Sequence, residues 1–250
     1  MKTALITGAT SGIGEACARL LAQKGYRTII TGRRSDRLDH LKDELEQHSQ
    51  CLPLCFDVRN RKEVETAINC LPAEWQSVDI LINNAGLAAG LAPVQSGEAD
   101  DWEQMIDTNV KGLLFITQKM IPLMKKSNSP HIVNIGSIAG KEVYANGNVY
   151  CATKYAVDAL TKGMRIDLLA DGFKVSQVAP GAVETEFSLV RFKGDDEKAS
   201  GVYKGYSPLT AADIANTVFW VISQPEHVNI SDVVVMPKAQ AGTYYWNKSL

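Results

Sequence analysis

The chain has 250 residues, 45% of them apolar, and a formal net charge of −2 at neutral pH. That is enough for one domain with a substantial core, and the charge gives no general pull toward nucleic acid or an anionic membrane. No apolar run approaches the roughly 20 residues of a membrane span, and Met1-Lys2-Thr3-Ala4 leads straight into a strand rather than a signal peptide, so a cytoplasmic location is expected.

The first predicted element is the apolar strand from Lys2 to Thr7. A glycine-rich turn follows, Thr7-Gly8-Ala9-Thr10-Ser11-Gly12-Ile13-Gly14, and then Ala16, Cys17, Leu20 and Leu21 continue from Ile13 at helical spacing up to Gly25. Strand, turn and helix in this order suit a dinucleotide. Gly8, Gly12 and Gly14 let the backbone turn tightly and approach a pyrophosphate, and the helix start points free N–H groups at it, with Thr10, Ser11 and Ile13 in the same turn. The spacing is Gly-x-x-x-Gly-x-Gly rather than the commoner Gly-x-Gly-x-x-Gly, and a glycine cluster alone would also serve an ordinary turn.

The second strand, Arg27 to Thr31, ends in Gly32-Arg33-Arg34. An NAD site usually places an acid near this strand end to bind the ribose 2′-hydroxyl. Here no acid occurs before Asp36, and Arg33 and Arg34 take the place. A guanidinium binds a 2′-phosphate well, so the expected cofactor is NADP(H). The third strand, Gln50 to Phe56, ends in Asp57-Val58, where a side-chain oxygen could meet the adenine edge. The fourth, Val78 to Ile82, ends in Asn83-Asn84-Ala85-Gly86, a small polar turn suited to lie beside the ribose. Helical stretches at 12–24, 36–48 and 60–71 alternate with these strands, which implies parallel βαβ units. No linker, charge run or internal repeat interrupts the pattern, so residues 1–250 read as one domain.

Two long helices are predicted next, at roughly 100–124 and 147–170. Ser137 follows the apolar strand Ile132-Val133-Asn134-Ile135, and Tyr150 and Lys154 stand one helical turn apart on one face. A free tyrosine titrates near ~10, too high for a base at neutral pH. A nearby ammonium and a positive nicotinamide ring both favour the phenolate. Tyr150 could then give a proton to a forming alkoxide or take one from an alcohol, while Ser137 holds the carbonyl oxygen.

The glycine turn, Asn-Asn-Ala-Gly, Ser137, Tyr150-x-x-x-Lys154 and Pro180-Gly181 occur in the order and spacing of the short-chain dehydrogenase/reductase family, which the chain resembles over essentially its whole length. Glu98 to Asn109, Gly147 to Lys154 and Thr185 to Asp196 further resemble the bacterial NADP-dependent 3-hydroxy acid (serine or allo-threonine) dehydrogenases. The resemblance implies a single-domain α/β Rossmann fold, with a doubly wound parallel seven-stranded sheet flanked by helices. It implies that Asn109 bends its helix and holds a water relaying protons to Lys154, and that Lys154 also binds the nicotinamide ribose. Pro180, Gly181 and Val183 would pass over the nicotinamide and Thr185 would hold its carboxamide. It also implies a homotetramer built on the two long helices, with Leu113, Leu114, Ile116, Ile121 and Leu123 on the first and Ala156, Leu160 and Met164 on the second.

Residues 187–206 would form a lid over the site. Arg191 and Lys193 lie in it beside Phe187, Phe192 and Tyr203, and an acid group on a substrate would suit the Arg191 fork. The expected reaction interconverts a 3-hydroxy acid such as serine, allo-threonine, 3-hydroxypropionate or 3-hydroxyisobutyrate with its 3-oxo acid or aldehyde. Sulfoacetaldehyde reduction fits the same fork, and reduction of carrier-bound 3-oxoacyl groups is an alternative. A non-catalytic NADPH-binding sensor belongs to another class, and the intact Ser137, Tyr150 and Lys154 speak against it. The five cysteines and four histidines form no ligand pattern, so no metal is expected and reduced thiols are. The aromatic tail, Tyr244-Tyr245-Trp246, could cap the pocket or pack on a neighbouring subunit.

Overall fold

Seven short apolar runs pair side by side, every neighbour parallel, in the computed structural model, which describes residues 1–249. In chain order the elements are β1 (Thr3–Ile6), α1 (Gly12–Gln23), β2 (Arg27–Gly32), α2 (Ser35–Leu45), β3 (Cys51–Cys55), α3 (Arg61–Asn69), β4 (Ile80–Asn83), α4 (Ala99–Ile106), α5 (Leu113–Met124), β5 (His131–Ile135), α6 (Asn148–Asp167), β6 (Lys174–Pro180), α7 (Phe187–Arg191), α8 (Asp196–Gly201), α9 (Ala211–Ile222) and β7 (Asp232–Val235). The sheet order is β3-β2-β1-β4-β5-β6-β7, so the winding reverses between β1 and β4. In such a sheet the ligand crevice opens at the carboxyl ends of the strands where the order reverses.

Side chains leave a strand on alternate faces, and the two faces carry separate cores. Ile6, Ile30, Ile82, Val133 and Val178 pack with Leu21 of α1, Leu41 of α2 and Val218 of α9. Leu5, Ile29, Leu81, Ile132 and Val175 pack with Ile68 of α3, Ile116 and Met120 of α5 and Val157 of α6. Each large apolar side chain so buried contributes roughly 1.5–3 kcal/mol. A buried polar ladder fixes α5 and α6 against the strand ends. Asn83 donates to Thr117 and to Asn134, each at 2.9 Å, and Asn134 donates to Thr161 at 2.9 Å.

Two helical expectations need adjustment. The predicted helix 100–124 runs as α4 and α5 joined by a π-helical stretch, Asp107–Gly112, with Asn109 in the wide turn. The predicted helix 147–170 stops at Asp167, and a short 3₁₀ turn ends at Gly172, whose φ of +73° is left-handed backbone that glycine adopts without strain. Of the apolar residues expected on an intersubunit face, Leu113, Ile116 and Met164 are buried in the subunit's own core, because their helical phase points them at the sheet, whereas Leu114 faces outward. Among the described residues no helix is long and apolar enough to cross a membrane.

Candidate active site

The carboxyl ends of the strands open into one cleft of about 530 Å³, within the ordinary range for small-molecule sites. Every sequence-predicted site residue lines it except Gly14 and Asn109. Gly14 sits in the first turn of α1 and is buried, and Asn109 is buried in the π-helical stretch outside the cleft lining.

The glycine turn is shaped by positive φ at Gly8 (65°) and Gly12 (55°). A Cβ on Gly8 would come within 2.9 Å of the Ala85 Cα, so the chain after β4 can approach only because position 8 is bare. Asn84 locks the approach by donating to the carbonyls of Thr7 and Gly8 at 2.9 and 3.1 Å, and the Thr7 hydroxyl accepts from the Asn84 and Ala85 N–H groups. Ser11 precedes α1 without capping it through its side chain, which leaves first-turn N–H groups of α1 to the cleft. A bare-glycine cradle, free helix N–H groups and two arginines at the end of β2 fit a dinucleotide carrying a 2′-phosphate. Arg33 has only Asp57 nearby, at 3.7 Å, and stays exposed. Asp57 itself is held mainly by Arg59 at 2.6 Å. Arg34 donates to Thr10 and, at 3.0 Å, to Glu186.

At the other end of the cleft, β5 delivers Ser137 and α6 delivers Tyr150 and Lys154. Lys154 donates to the Ile135 carbonyl at 2.9 Å, and its ammonium stands 6.0 Å from the centre of the Tyr150 ring. Both residues are buried, and burial lowers Lys154 to about 8. Burial pushes the Tyr150 phenol up, Tyr144 adds to this, and Arg191 and a hydrogen bond with Ser137 pull it back without reversing the direction. The Ser137 hydroxyl accepts from the Ala139 N–H at 3.1 Å. Asn109 clips the loop after β4, since its side chain accepts from the Leu87 N–H and donates to the Leu87 carbonyl, each at 2.8 Å, and donates to Thr153 at 3.0 Å.

Residues 187–206, which carry α7 and α8, pack against this group. Phe187 meets Tyr150 edge to face at 5.5 Å. Arg191 stacks over Tyr150 at 4.9 Å and Phe187 at 5.4 Å and donates to the Tyr144 hydroxyl. Its Nε is buried without a partner, and among the described residues no carboxylate pairs with it. Lys193, two residues on, turns away and pairs with Asp101 at 3.0 Å. The tail folds back on its own subunit. Gln240 accepts from the Ala182 N–H at 3.0 Å, Thr243 donates to Glu142, and Trp246 packs at a tilt against Tyr206 at 4.9 Å and lines the cleft, while Tyr244 and Tyr245 remain exposed.

Sequence reasoning missed Tyr144, Glu186, Arg37 and Gln240. Only Glu186 carried a local signal, standing beside Thr185. Among the described residues no cluster of three histidine, cysteine or acidic side chains forms, and all five cysteines are free.

A seven-stranded parallel sheet with a bare-glycine cradle at one end of its crevice and a Ser-Tyr-Lys group at the other defines a dinucleotide-dependent oxidoreductase. The short chain dehydrogenase family profile matches residues 2–195, and the chain belongs to that family. It is 49% identical to an NADP-dependent 3-hydroxy acid dehydrogenase of Salmonella typhi over 238 residues, 95% of each chain. It is 44% identical to a serine 3-dehydrogenase of Agrobacterium fabrum over 239 residues, covering 96% of this chain and 95% of that one. A solved closed form of a serine dehydrogenase complexed with NADP+ superposes with a TM-score of 0.92 at 47% identity, covering 96% of this chain and 97% of the other.

Proposed function

We propose that this protein interconverts a small 3-hydroxy acid and its 3-oxo acid or aldehyde. At the coarser level it is an NADP(H)-dependent oxidoreductase acting on CH–OH groups. The observation that carries the finer reading is Arg191, a guanidinium walled in by Tyr144, Tyr150 and Phe187 and lacking an anion. An unpaired charge in such a place is costly, and a planar carboxylate on the substrate is what its fork would accept. Arg191 lies against the Tyr150 ring, so an acid bound there would keep the rest of a small substrate close to that residue. The names of the relatives, a 3-hydroxy acid dehydrogenase and a serine 3-dehydrogenase, agree with an acid-bearing substrate.

In this reading the overall change is R–CHOH–CH(R′)–COO⁻ plus NADP⁺ to R–CO–CH(R′)–COO⁻, NADPH and H⁺. Bound NADP⁺ supplies the hydride acceptor. Tyr150 removes the hydroxyl proton in oxidation and returns it in reduction. Ser137 donates a hydrogen bond to the reacting oxygen. Lys154 favours the phenolate by its charge and reaches the nicotinamide ribose, and Asn109 sits on the relay that resupplies its proton. Gly8, Thr10, Ser11, Gly12, Ile13 and Gly14 form the pyrophosphate turn, and Arg33 and Arg34 take the 2′-phosphate. Asp57 and Val58 meet the adenine, Asn84, Ala85 and Gly86 the ribose, and Pro180, Gly181, Val183 and Thr185 the nicotinamide. We further assign the protein to the cytoplasm, a reading its free thiols support, and to a homotetramer, which the outward Leu114, Tyr155 and Ile166 support.

The test measures NADP⁺ reduction with L-serine, L-allo-threonine, 3-hydroxypropionate, 3-hydroxyisobutyrate and isethionate beside neutral alcohols. Wild-type activity should be confined to the acids. Arg191→Ala should raise their KM roughly 100-fold or more, the size of losing one partner of a desolvated charge pair. Tyr150→Phe should instead lower kcat by about 10²–10⁴. Neutral alcohols used as well as acids would sink the reading. Isethionate alone would move it to sulfonates, and turnover of only 3-oxoacyl thioesters would move it to carrier-bound substrates.

A further inference from the structure

Three arginines follow β2, and they do not face the same way. Arg33 is exposed at the cleft with only the distant Asp57 for company. Arg34 also lines the cleft, with Nε and Nη2 held by the Thr10 hydroxyl at 3.2 and 2.9 Å and Nη1 donating to Glu186 Oε2 at 3.0 Å. Arg37 does not line the cleft. It lies on the far side of Glu186 and donates to Oε1 at 2.6 Å, closing an Arg34–Glu186–Arg37 row. Glu186 comes from a distant part of the chain, the residue immediately before α7, and it lines the cleft beside Arg34.

An acid among phosphate-binding arginines is out of place electrostatically. A 2′-phosphate carries close to two negative charges at neutral pH, and a carboxylate on the same guanidinium both occupies its donors and repels the incoming group. Partial burial works against the charged form of Glu186, but its hydrogen bonds to Arg37 and Arg34 more than offset that and hold it below the usual glutamate range. It is therefore an anion across the working pH range. The second arginine resolves the conflict: one Glu186 oxygen faces Arg34 and the other faces Arg37, so the carboxylate can release the first and keep the second.

We propose that Glu186 is a built-in counter-ion which the cofactor's 2′-phosphate displaces from Arg34, and that Arg37 sets NADP over NAD preference without touching the phosphate, by retaining Glu186. The proposal rests on NADP as the cofactor and not on the substrate reading. It separates two kinds of arginine, receivers (Arg33 and Arg34) and a positioning residue (Arg37) that acts through an acid.

Isothermal titration calorimetry with NADP⁺ and with NAD⁺ on the full chain tests it, using wild type, Glu186→Gln, Arg37→Ala and the double variant. Glu186→Gln should tighten NADP⁺ about five- to tenfold, the effect of removing one like charge from a half-exposed site, and leave NAD⁺ within about twofold. Arg37→Ala should weaken NADP⁺ several-fold, since Glu186 then falls back on Arg34. In the double variant that loss should vanish. A weaker NADP⁺ complex in Glu186→Gln, an equal shift for both cofactors, or weaker NAD⁺ binding would overturn the proposal, the last by making Glu186 a ligand of the ribose hydroxyl. So would an Arg37→Ala loss that persists in the Glu186→Gln background, which would mean direct contact with the phosphate. A wild type that binds both cofactors equally would remove the cofactor reading as well, so the two failures are told apart.

Discussion

Lys154 is held in the cleft at a cost that its surroundings make visible. Its ammonium is buried, its hydrogen-bond acceptor is the Ile135 carbonyl, and burial brings its pKa down from the usual lysine value to about 8. The folded state thus binds this proton less well than the unfolded chain. The penalty is fully present below about pH 8, fades as the pH rises, and is gone above the unfolded value near ~10.4. Burial keeps the Tyr150 phenol neutral, and the neighbouring positive charge that pulls its pKa back is that of Arg191. In the proposed chemistry, the same ammonium that destabilises the fold is the one that favours the phenolate once a substrate and cofactor are bound. Lys154→Met should be more stable than wild type by about 1–3 kcal/mol at pH 7, allowing for the Ile135 carbonyl left without its donor. The gain should shrink toward pH 10, and turnover should be lost. Urea melts of both proteins at pH 7 and pH 10 read this directly, and a variant less stable at pH 7 would mean that the lysine is a net structural asset.

At the scale of elements, the π-helical stretch at Asp107–Gly112 places Asn109 where an uninterrupted helix would not. Its amide pairs with both backbone groups of Leu87 and with Thr153 of α6, joining the loop after β4 to the helix that carries Tyr150 and Lys154. Buried amides that lose such partners cost about 1–3 kcal/mol. Asn109→Ala should lose about that much in a urea melt and slow turnover more than it weakens NADP⁺, because the cradle at Gly8 lies on the other side of β4. An unchanged melt would show that Leu87 finds other partners. The strands and helices that build the cleft were legible because their signals are local: short continuous apolar runs at β1 and β4, both buried throughout, the glycine turn, and a tyrosine and lysine one turn apart. The π turn was expected only through the family resemblance, which has Asn109 bend its helix, since nothing in Asp107-Thr108-Asn109 itself departs from a helical pattern and its partner Leu87 lies 22 residues earlier. Glu186 and its arginines were hidden for the same reason, being 149 and 152 residues apart in sequence. The tail's two possible seats could not be separated from three aromatic letters. Gln240 meeting Ala182 and Trp246 meeting Tyr206 put it over its own cleft.

For the whole molecule, the join between β5 and β6 carries a buried histidine that no part of the proposed chemistry uses. His131 opens β5 with its Nε2 at 2.7 Å from the Ser176 hydroxyl of β6 and its Nδ1 buried without a partner. Burial, with Lys174 and Lys2 adding positive charge nearby, lowers its pKa to about 3. The unfolded chain protonates this ring near ~6.5 and the folded one does not until far lower, so folding excludes a proton over that window and stability is lost as the pH falls through it. Carboxylates held by cations, such as Asp57 and Asp158, contribute stability that is lost only further down, as the pH approaches their own lowered values. Between about pH 6.5 and pH 5 the carboxylates are still largely ionised, and the slope in that interval belongs mainly to His131. It should amount to about 1.5 kcal/mol across the interval, or near 1.4 kcal/mol per pH unit at its lower end. Because β5 leads to Ser137 and β6 to Pro180, the ends of both strands that line the cleft depend on this join. Denaturant melts at half-unit steps from pH 7 to pH 5 should show the slope in wild type and a flatter profile in His131→Gln, which cannot take up the proton. Equal slopes in the two proteins would move the acid sensitivity to the surface ion pairs and leave His131 as packing alone.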